Sequence, residues 1–327
     1  MREPGRFLSC DWGTSSFRLK LVSTELETIA EVSTDNGILR SFELWKQKKL
    51  PEENRVSFYC NLIDHQIKRI EQQQAISLDN VPLIISGMAS SNIGMLELPY
   101  KMLPFWTDGS DLQFQNIKAT DQFEHDVLLI SGVCTDNDVM RGEETILVGC
   151  DDDSPNGRVY ILPGTHSKHV FIMNGVAIAC KTYMTGEFFE LLSKKSILSE
   201  SLVAGDDLFS ANNLQSFEKG IRLGIDLNLL NSSFLARTNI LFDKLTKQEN
   251  YYFLSGILIG TELKELINPN VENVCVVGNA SQLIYYEEAF KQLNKMSGII
   301  MPLQIDADKA IVKGQLKIML SRIRKSN

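Results

Sequence analysis

Two stretches of this chain decide its fold. The first is Phe7-Leu-Ser-Cys-Asp-Trp-Gly-Thr-Ser-Ser-Phe-Arg-Leu-Lys-Leu-Val22, and the second is Val159-Tyr-Ile-Leu-Pro-Gly-Thr-His-Ser-Lys-His-Val-Phe-Ile172. In each, an apolar strand runs into Gly-Thr-x-Ser and a second strand leaves it. Glycine and small hydroxyl residues at a hairpin tip let backbone N–H groups approach a phosphate closely. Two such tips facing each other across a cleft would form a phosphate clamp.

The surrounding elements repeat in the same order. Strands are expected at 7–11, 16–23 and 27–33, with a break at Asn36-Gly37. Val56, Tyr59, Leu62, Ile63, Ile67 and Ile70 recur at helical spacing across 54–74. Val81-Pro-Leu-Ile-Ile-Ser86 reads as a short buried strand ending in Gly87. In the second half, strands are expected at 158–163, 168–173 and 176–182, with Asn174-Gly175 as a two-residue hairpin turn. Thr185 is expected to cap a helix that begins Gly-Glu-Phe-Phe. Asn273-Val-Cys-Val-Val277 reads as a buried strand ending in Gly278. The tails Gly87-Met-Ala-Ser90 and Gly278-Asn-Ala-Ser281 share both pattern and place, which points to duplication. The surplus length of the second half falls in a helical stretch at 200–250.

Two βββαβ units predict an α/β protein with a mixed sheet in each half and a ligand site in the cleft between them. The expected domains are 1–140, for sugar acid and phosphate, and 141–327, for nucleotide. Strand 127–131 and a helix from Gly142 to Gly149 join them. An amphipathic helix over 307–324 can pack back on the first domain.

Composition narrows the function. The 327 residues are 43% hydrophobic and 23% charged, ordinary values for a globular enzyme. A net charge of -8 argues against a nucleic-acid surface. No apolar run approaches membrane-spanning length, and Met1-Arg-Glu-Pro-Gly-Arg6 lacks the apolar core of a signal peptide. The six cysteines are scattered without a C-x-x-C pair and read as reduced thiols of a cytoplasmic protein. His166 and His169 lack the companion ligands of a zinc site. Homo-oligomerisation is left open.

Several residues carry candidate chemistry. Asp11 aligns with Leu162, so the acid exists only in the first copy. A carboxylate at the end of a buried strand is costly unless something uses it. It would hold Mg²⁺ through water beside a polyphosphate, or serve as a turn aspartate satisfied by nearby N–H groups. Gly13, Thr14 and Ser15 form the first tip, and Gly164, Thr165 and His166 the second. Lys168 either approaches a transferring phosphate or is a solvated strand residue. Arg18 alternates with apolar neighbours and reads as solvent-facing. Glu143 and Glu144 suit the first turn of a helix by charge alone, or one of them, or Asp138, is a general base, and Glu144 is otherwise expected among the substrate contacts. Arg141 pairs with a substrate carboxylate or makes an ordinary ion pair. Ser90, Ser91 and Asn92, in a loop after a buried strand, suit hydrogen bonds to a polyol.

The motifs Asp11-Trp-Gly-Thr14, Met140-Arg-Gly-Glu-Glu-Thr145, Leu162-Pro-Gly-Thr-His-Ser-Lys168, Tyr183-Met-Thr-Gly-Glu187 and Leu254-Ser-Gly-Ile-Leu-Ile-Gly260 span nearly the whole chain in order. Together they resemble the 2-dehydro-3-deoxygalactonokinase family. That resemblance implies duplicated ribonuclease-H-like domains of the actin/hexokinase type. It implies ATP-dependent phosphorylation of 2-dehydro-3-deoxy-D-galactonate at its 6-hydroxyl, with Mg²⁺, yielding an aldolase substrate in galactonate catabolism. It places Asp11, Gly13 and Thr14 on one phosphate loop and Gly164 and Thr165 on the other. It places Gly278 and Asn279 in the adenosine region, and Glu143 where related carbohydrate kinases carry a catalytic Asp. His169 stands where a Trp is usual, and Ile146 where a Gln is usual. Two alternatives stand beside this reading: a same-fold kinase of another sugar or sugar acid, and an actin-like module that holds or hydrolyses ATP without an acceptor.

Overall fold

A computed structural model of the chain describes residues 5–151, 157–205, 207–267 and 273–325, and the side chains of these up to residue 322. Its contacts divide it into two compact units. The first comprises Met1–Pro155, Ile172–Cys180 and Ala307–Asn327, and the second Asn156–Phe171 and Lys181–Asp306.

The first unit opens with strands β1 (Arg6–Trp12), β2 (Phe17–Ser23) and β3 (Thr28–Thr34), followed by helices α1 (Ile38–Lys48) and α2 (Arg55–Gln74). Then come β4 (Leu83–Gly87), β5 (Lys101–Met102), β6 (Phe105–Trp106), β7 (Phe114–Ile117), β8 (Val127–Ile130), β9 (Val133–Cys134), β10 (Val139–Met140) and helix α3 (Glu143–Gly149). The main sheet has the order β3-β2-β1-β4-β8-β7. β1 is antiparallel to β2 and parallel to β4, and β4 is parallel to β8. The helical stripe read from the sequence is α2: Tyr59, Ile63, Ile67 and Ile70 are buried in the same core as Leu8, Cys10 and Leu83. Asn36-Gly37 does not simply break the pattern. It leads into α1, which buries Ile38 and Trp45, so this half is βββααβ.

The second unit contains β11 (Arg158–Leu162), β12 (Ser167–Met173), β13 (Val176–Tyr183) and α4 (Thr185–Lys195). Helices α5 (Ala211–Asp226), α6 (Leu229–Leu241) and α7 (Lys247–Leu263) follow, which are the extra helical residues expected from the longer interval. β14 (Val274–Gly278), α8 (Ala280–Ser297) and β15 (Leu303–Asp306) complete it. Its strands run β15-β14-β11-β12-β13, with β14 parallel to both β11 and β15. This repeats the β8-β4-β1-β2-β3 order of the first unit, the duplicated ribonuclease-H-like plan. Asn174 and Gly175 form the expected turn, both at positive φ (52° and 72°). That end of the β12–β13 hairpin belongs to the first unit, where Val176 and Ala177 pair with Trp106 and Phe105.

Helix α9 (Ala307–Lys325) returns to the first unit. It packs on α3 so closely that a Cβ at Gly149 would collide with the Ala310 carbonyl, and one at Gly314 with that of Thr145. In the second unit α5 and α7 meet through Gly220, Gly224, Gly256 and Gly260, each facing backbone of the other helix. The expected cap of α4 is not Thr185. Met184 holds the N-cap position without a side-chain bond, and the Thr185 hydroxyl donates instead to Glu262. All six cysteines are free thiols, and burial pushes Cys60 up to about 12. No described helix is long and apolar enough to cross a membrane.

Candidate active site

In the first unit the β1–β2 tip is closed by Gly13 N donating to Ser16 O (2.9 Å). The start of α1 seats on it: Ile38 N donates to Gly13 O (3.0 Å) and Leu39 N to Thr14 O (3.2 Å). Only a glycine fits at position 37, because a Cβ there would strike the backbone of Thr14 and Ser15. Trp12 wedges beneath, edge-on to Phe17 and Tyr59, with its indole N–H on Asn36 O (3.0 Å). The tip is therefore held from below and from the side.

Asp11 lies at the base of this tip with 26% of its side chain exposed. Arg18, its cross-strand partner, stands 3.6 Å away but makes a shorter 2.9 Å pair with Asp308 on α9. Arg18 is thus ion-paired rather than simply solvated. Desolvation drives the Asp11 carboxyl up, Arg18 pulls it down, and Asp308 and Glu143 push it up again, to about 6. Negative charge here exceeds its local compensation, which favours a cation. Among the described residues no three acidic, His or Cys side chains converge as a metal cage. Mg²⁺ held by one carboxylate, waters and phosphate oxygens needs no such cage, so Asp11 fits that ion.

Two glycines at positive φ bring α3 against this corner. Gly87 (φ +89°) ends β4, where a Cβ would stand 2.7 Å from Trp12 O and 3.4 Å from Asp11 Oδ1. Gly142 (φ +113°) precedes α3, where a Cβ would stand 3.3 Å from Gly87 Cα. The acidic turn thus meets the strand ends beside Asp11. Glu143 Oε2 accepts from Arg141 N (2.9 Å). Glu144, expected among the substrate contacts, is 0% exposed. It accepts from Gly142 N (2.7 Å) and Thr145 Oγ1 (2.9 Å). Burial, then the neighbouring Glu143 charge, raise its carboxyl to about 7 against those hydrogen bonds. Its place is inside the turn, not on a surface that a substrate touches.

Arg141 lies over the Tyr100 ring (4.1 Å to the centroid) and gives Nη1 to both Ser90 O and Ser90 Oγ (2.6 Å each). Its Nε is buried without a hydrogen-bond partner. Ser90 and Ser91 are buried, and the Ser91 hydroxyl donates to Met88 O (2.7 Å). Asn92 is exposed. Arg55 and Tyr59 of α2 hold this loop by the carbonyls of Asn92, Ile93 and Gly94. Arg141 and Ser90 therefore meet, as a substrate corner requires, but much of their bonding is spent on each other.

In the second unit Thr165 and His166 are exposed at the β11–β12 tip. Here Gly186 plays the part of Gly37: a Cβ would stand 2.6 Å from Gly164 O, and Glu187 N donates to Thr165 O (3.0 Å). His166 Nε2 lies 2.5 Å from Glu187 Oε2. Lys168, expected near a transferring phosphate, is only 5% exposed and donates Nζ to His166 O (2.9 Å). It is folded back under its own turn. Asn279 caps α8 by accepting from Gln282 N (3.0 Å), and Gln282 reaches Pro163 O (2.9 Å), tying α8 to the tip. A cavity of about 340 Å³ opens here, within the range of small-ligand sites. Gly164, Thr165, Thr185, Gly186, Phe189, Tyr251, Ser281 and Tyr285 are among its lining residues. Gly278 and Asn279 are not, so their neighbour Ser281 is the wall.

The sequence reading missed a buried cluster behind this tip. Glu262 of α7 is 1% exposed and binds Ser167, His169, Thr185 and Tyr286. It also missed Asp308 and the matching role of Gly37 and Gly186 against the two tips. The glycines were findable, since each follows the third strand of its repeat. Glu262 was hidden in an apolar helical run that gives no sign of its partners.

Duplicated mixed sheets, each presenting a glycine–hydroxyl turn, with an acid beside only one of them, suit a carbohydrate kinase, the class to which the family match assigns the chain. A sugar kinase of this fold uses ATP. The chain belongs to the 2-keto-3-deoxy-galactonokinase family, whose model matches residues 11–318. It is 28% identical over 328 residues, 96% of each chain, to a protein of Rhizobium meliloti (strain 1021) named a probable 2-dehydro-3-deoxygalactonokinase. It is 28% identical over 222 residues to the 2-dehydro-3-deoxygalactonokinase of Escherichia coli (strain K12), covering 66% of this chain and 72% of that one. A crystal structure from Sinorhizobium meliloti, of a protein provisionally given the same activity, superposes with a TM-score of 0.77 at 25% identity. That match covers 96% of this chain and 95% of the other.

Proposed function

We propose that this protein transfers the γ-phosphoryl group of ATP to the 6-hydroxyl of 2-dehydro-3-deoxy-D-galactonate, making an aldolase substrate in galactonate catabolism. The carrying observation is the asymmetry of the repeat: Asp11, with its carboxyl raised to about 6, stands at one tip, and Leu162 holds that place at the other. The first unit takes the sugar acid and the second the nucleotide.

The amides of Thr14 and Ser15, on the turn that Gly13 closes through its own bond to Ser16 O, and of Gly164, Thr165 and His166 supply donors to phosphate oxygens that gain charge in the transition state. Asp11 would hold Mg²⁺ through water, and the ion, when bound, would neutralise phosphate charge. Glu143 orients the acceptor hydroxyl and takes its proton. Glu144 and Lys168 act from beneath, keeping their turns in shape. Arg141, set by Ser90 and Tyr100, faces the substrate carboxylate. Ser91 shapes the loop, and Asn92 offers its amide to a sugar hydroxyl. Ser281 and the aromatic wall receive the nucleoside, with Gly278 and Asn279 placing the start of α8.

The test is ADP release, measured by a coupled assay with ATP and Mg²⁺ against 2-keto-3-deoxy sugar acids and neutral sugars. Release only with the galactonate-derived acid is the expected result. Release with a different acceptor overturns the substrate and keeps the kinase. Equal release without any acceptor overturns both.

A further inference from the structure

Glu262 is a carboxylate in an otherwise apolar segment of α7, and its bonding is unusual for so buried a charge. Oε1 accepts from Ser167 Oγ (2.9 Å) and His169 Nε2 (3.0 Å). Oε2 accepts from Tyr286 OH (2.8 Å) and from the Thr185 hydroxyl. Among the described residues no Lys or Arg pairs with it. Burying an ion this way is expensive unless every lone pair is met and the arrangement does something an apolar side chain would not. Burial first, and the Glu262 charge second, hold the Tyr286 phenol well above its ordinary value.

The four donors share one property: they surround the Gly164–His166 turn. Ser167 follows His166 directly, and His169 lies two residues further along the same face of β12. Thr185 precedes Gly186, which abuts Gly164, and Glu187, whose amide binds the Thr165 carbonyl. Thr185 and Tyr286 also line the 340 Å³ cavity. One carboxylate therefore fixes the strand that leaves the turn, the helix that abuts it and a wall of the cavity.

We propose that Glu262 is a positioning residue for the nucleotide, holding the Gly164–His166 turn and Thr185 in the geometry that receives its phosphates. This rests on the reading of the second unit as the nucleotide site. Hydrogen bonds to a charged acceptor are short and directional, so four of them fix the turn more sharply than apolar packing would. Loss of the charge loosens the turn without touching the acceptor-binding groups of the first unit.

The experiment is Glu262→Gln, an isosteric change that sets an NH₂ group against existing donors. Two readouts are taken: KM for ATP and for the sugar acid separately, and the rise in Tm caused by ATP. The expected result is a KM for ATP raised about ten- to hundredfold, an unchanged KM for the acceptor and a smaller ATP-dependent rise in Tm. Glu262→Asp keeps the charge and should recover part of the loss. A lower Tm with both KM values unchanged, or both rising in step, overturns the proposal. Where Glu262→Gln does not fold, His169→Phe removes one donor outside the cavity while keeping its ring against Tyr183. An unchanged KM for ATP in that variant is equally fatal. Wild-type protein whose Tm ignores ATP overturns the nucleotide reading itself, and this proposal with it. A normal wild-type response beside an unaffected Glu262→Gln overturns Glu262 alone.

Discussion

The two hairpin tips are built alike and backed differently. Each carries Gly-Thr-x-Ser, and each is abutted by a glycine from the next helix, Gly37 in one and Gly186 in the other. Beneath the first lies an accessible, undercompensated carboxylate, Asp11. Beneath the second lies Leu162, and behind it the fully bonded Glu262. Duplication has kept the backbone device and changed the charge behind it. One carboxylate stays partly exposed at its tip, and the other is consumed by the scaffold.

The harshest way to break this comparison is to give the second tip the acid of the first. Leu162 is 4% exposed, and His169, which holds the place of Arg18 in the second copy, is already bonded to Glu262. Leu162→Asp therefore buries an unpaired charge and should cost about 3 to 5 kcal/mol in chemical denaturation. A variant as stable as wild type would mean that the two strand ends are equivalent environments. The reverse change, Asp11→Ala, should lower turnover about a hundred- to thousandfold, the scale for one preorganised electrostatic group. Its circular dichroism and Tm should stay near wild type, because the carboxyl is already disfavoured as an ion. Unfolding would instead make Asp11 a structural residue.

Much of this contrast was legible in the sequence. The tips, the strands that lead into and out of them, α2 and the inserted helices follow from period-2 and period-3.6 patterns and from Gly and Asn at turns. The asymmetry of Asp11 and Leu162 is visible on alignment of the two copies. What was not legible depends on contacts distant in the chain. α1 spans only Ile38–Lys48, and its short stripe of Ile38, Phe42 and Trp45 was hidden behind the reading of Asn36-Gly37 as a break. Lys168 and Glu144 look like surface charges until the fold buries them. Asp308 meets Arg18 from nearly the other end of the chain. Local pattern reports which face a residue takes, and only tertiary structure reports what waits there.

Within the first unit, Asp11 and Glu144 sharpen the comparison through pH. Both carboxyls sit above their unfolded values of about 4, at about 6 and about 7. The folded state therefore holds protons that the unfolded chain has released. Their stabilising contribution is complete below about pH 4 and is lost as pH rises through 6 and 7. Wild-type Tm should include a component that falls over this window. Glu144→Gln keeps an acceptor for Gly142 N and removes the charge, so its stability should gain on wild type as pH rises from 5 to 8. The gain has an upper limit on the order of 3 kcal/mol. Parallel Tm–pH curves for the two proteins would show that Glu144 does not titrate in the fold.

The mildest test returns to the second tip. His166 and Glu187 form an exposed pair, with half of the histidine side chain in solvent. Such pairs contribute about 0 to 1 kcal/mol, so His166→Ala should scarcely move Tm. The imidazole nevertheless sits on the turn assigned to phosphate, and loss of one hydrogen bond there should raise KM for ATP about two- to tenfold. Turnover at saturating ATP should hold, since the turn's backbone donors are intact. If KM for ATP is unchanged, His166 belongs to the scaffold that joins α4 to the turn, and the phosphate contacts of this tip are backbone alone. If Tm falls by many degrees instead, the exposed pair supports the turn as strongly as the buried Glu262 cluster, and the contrast between an outer and an inner support disappears.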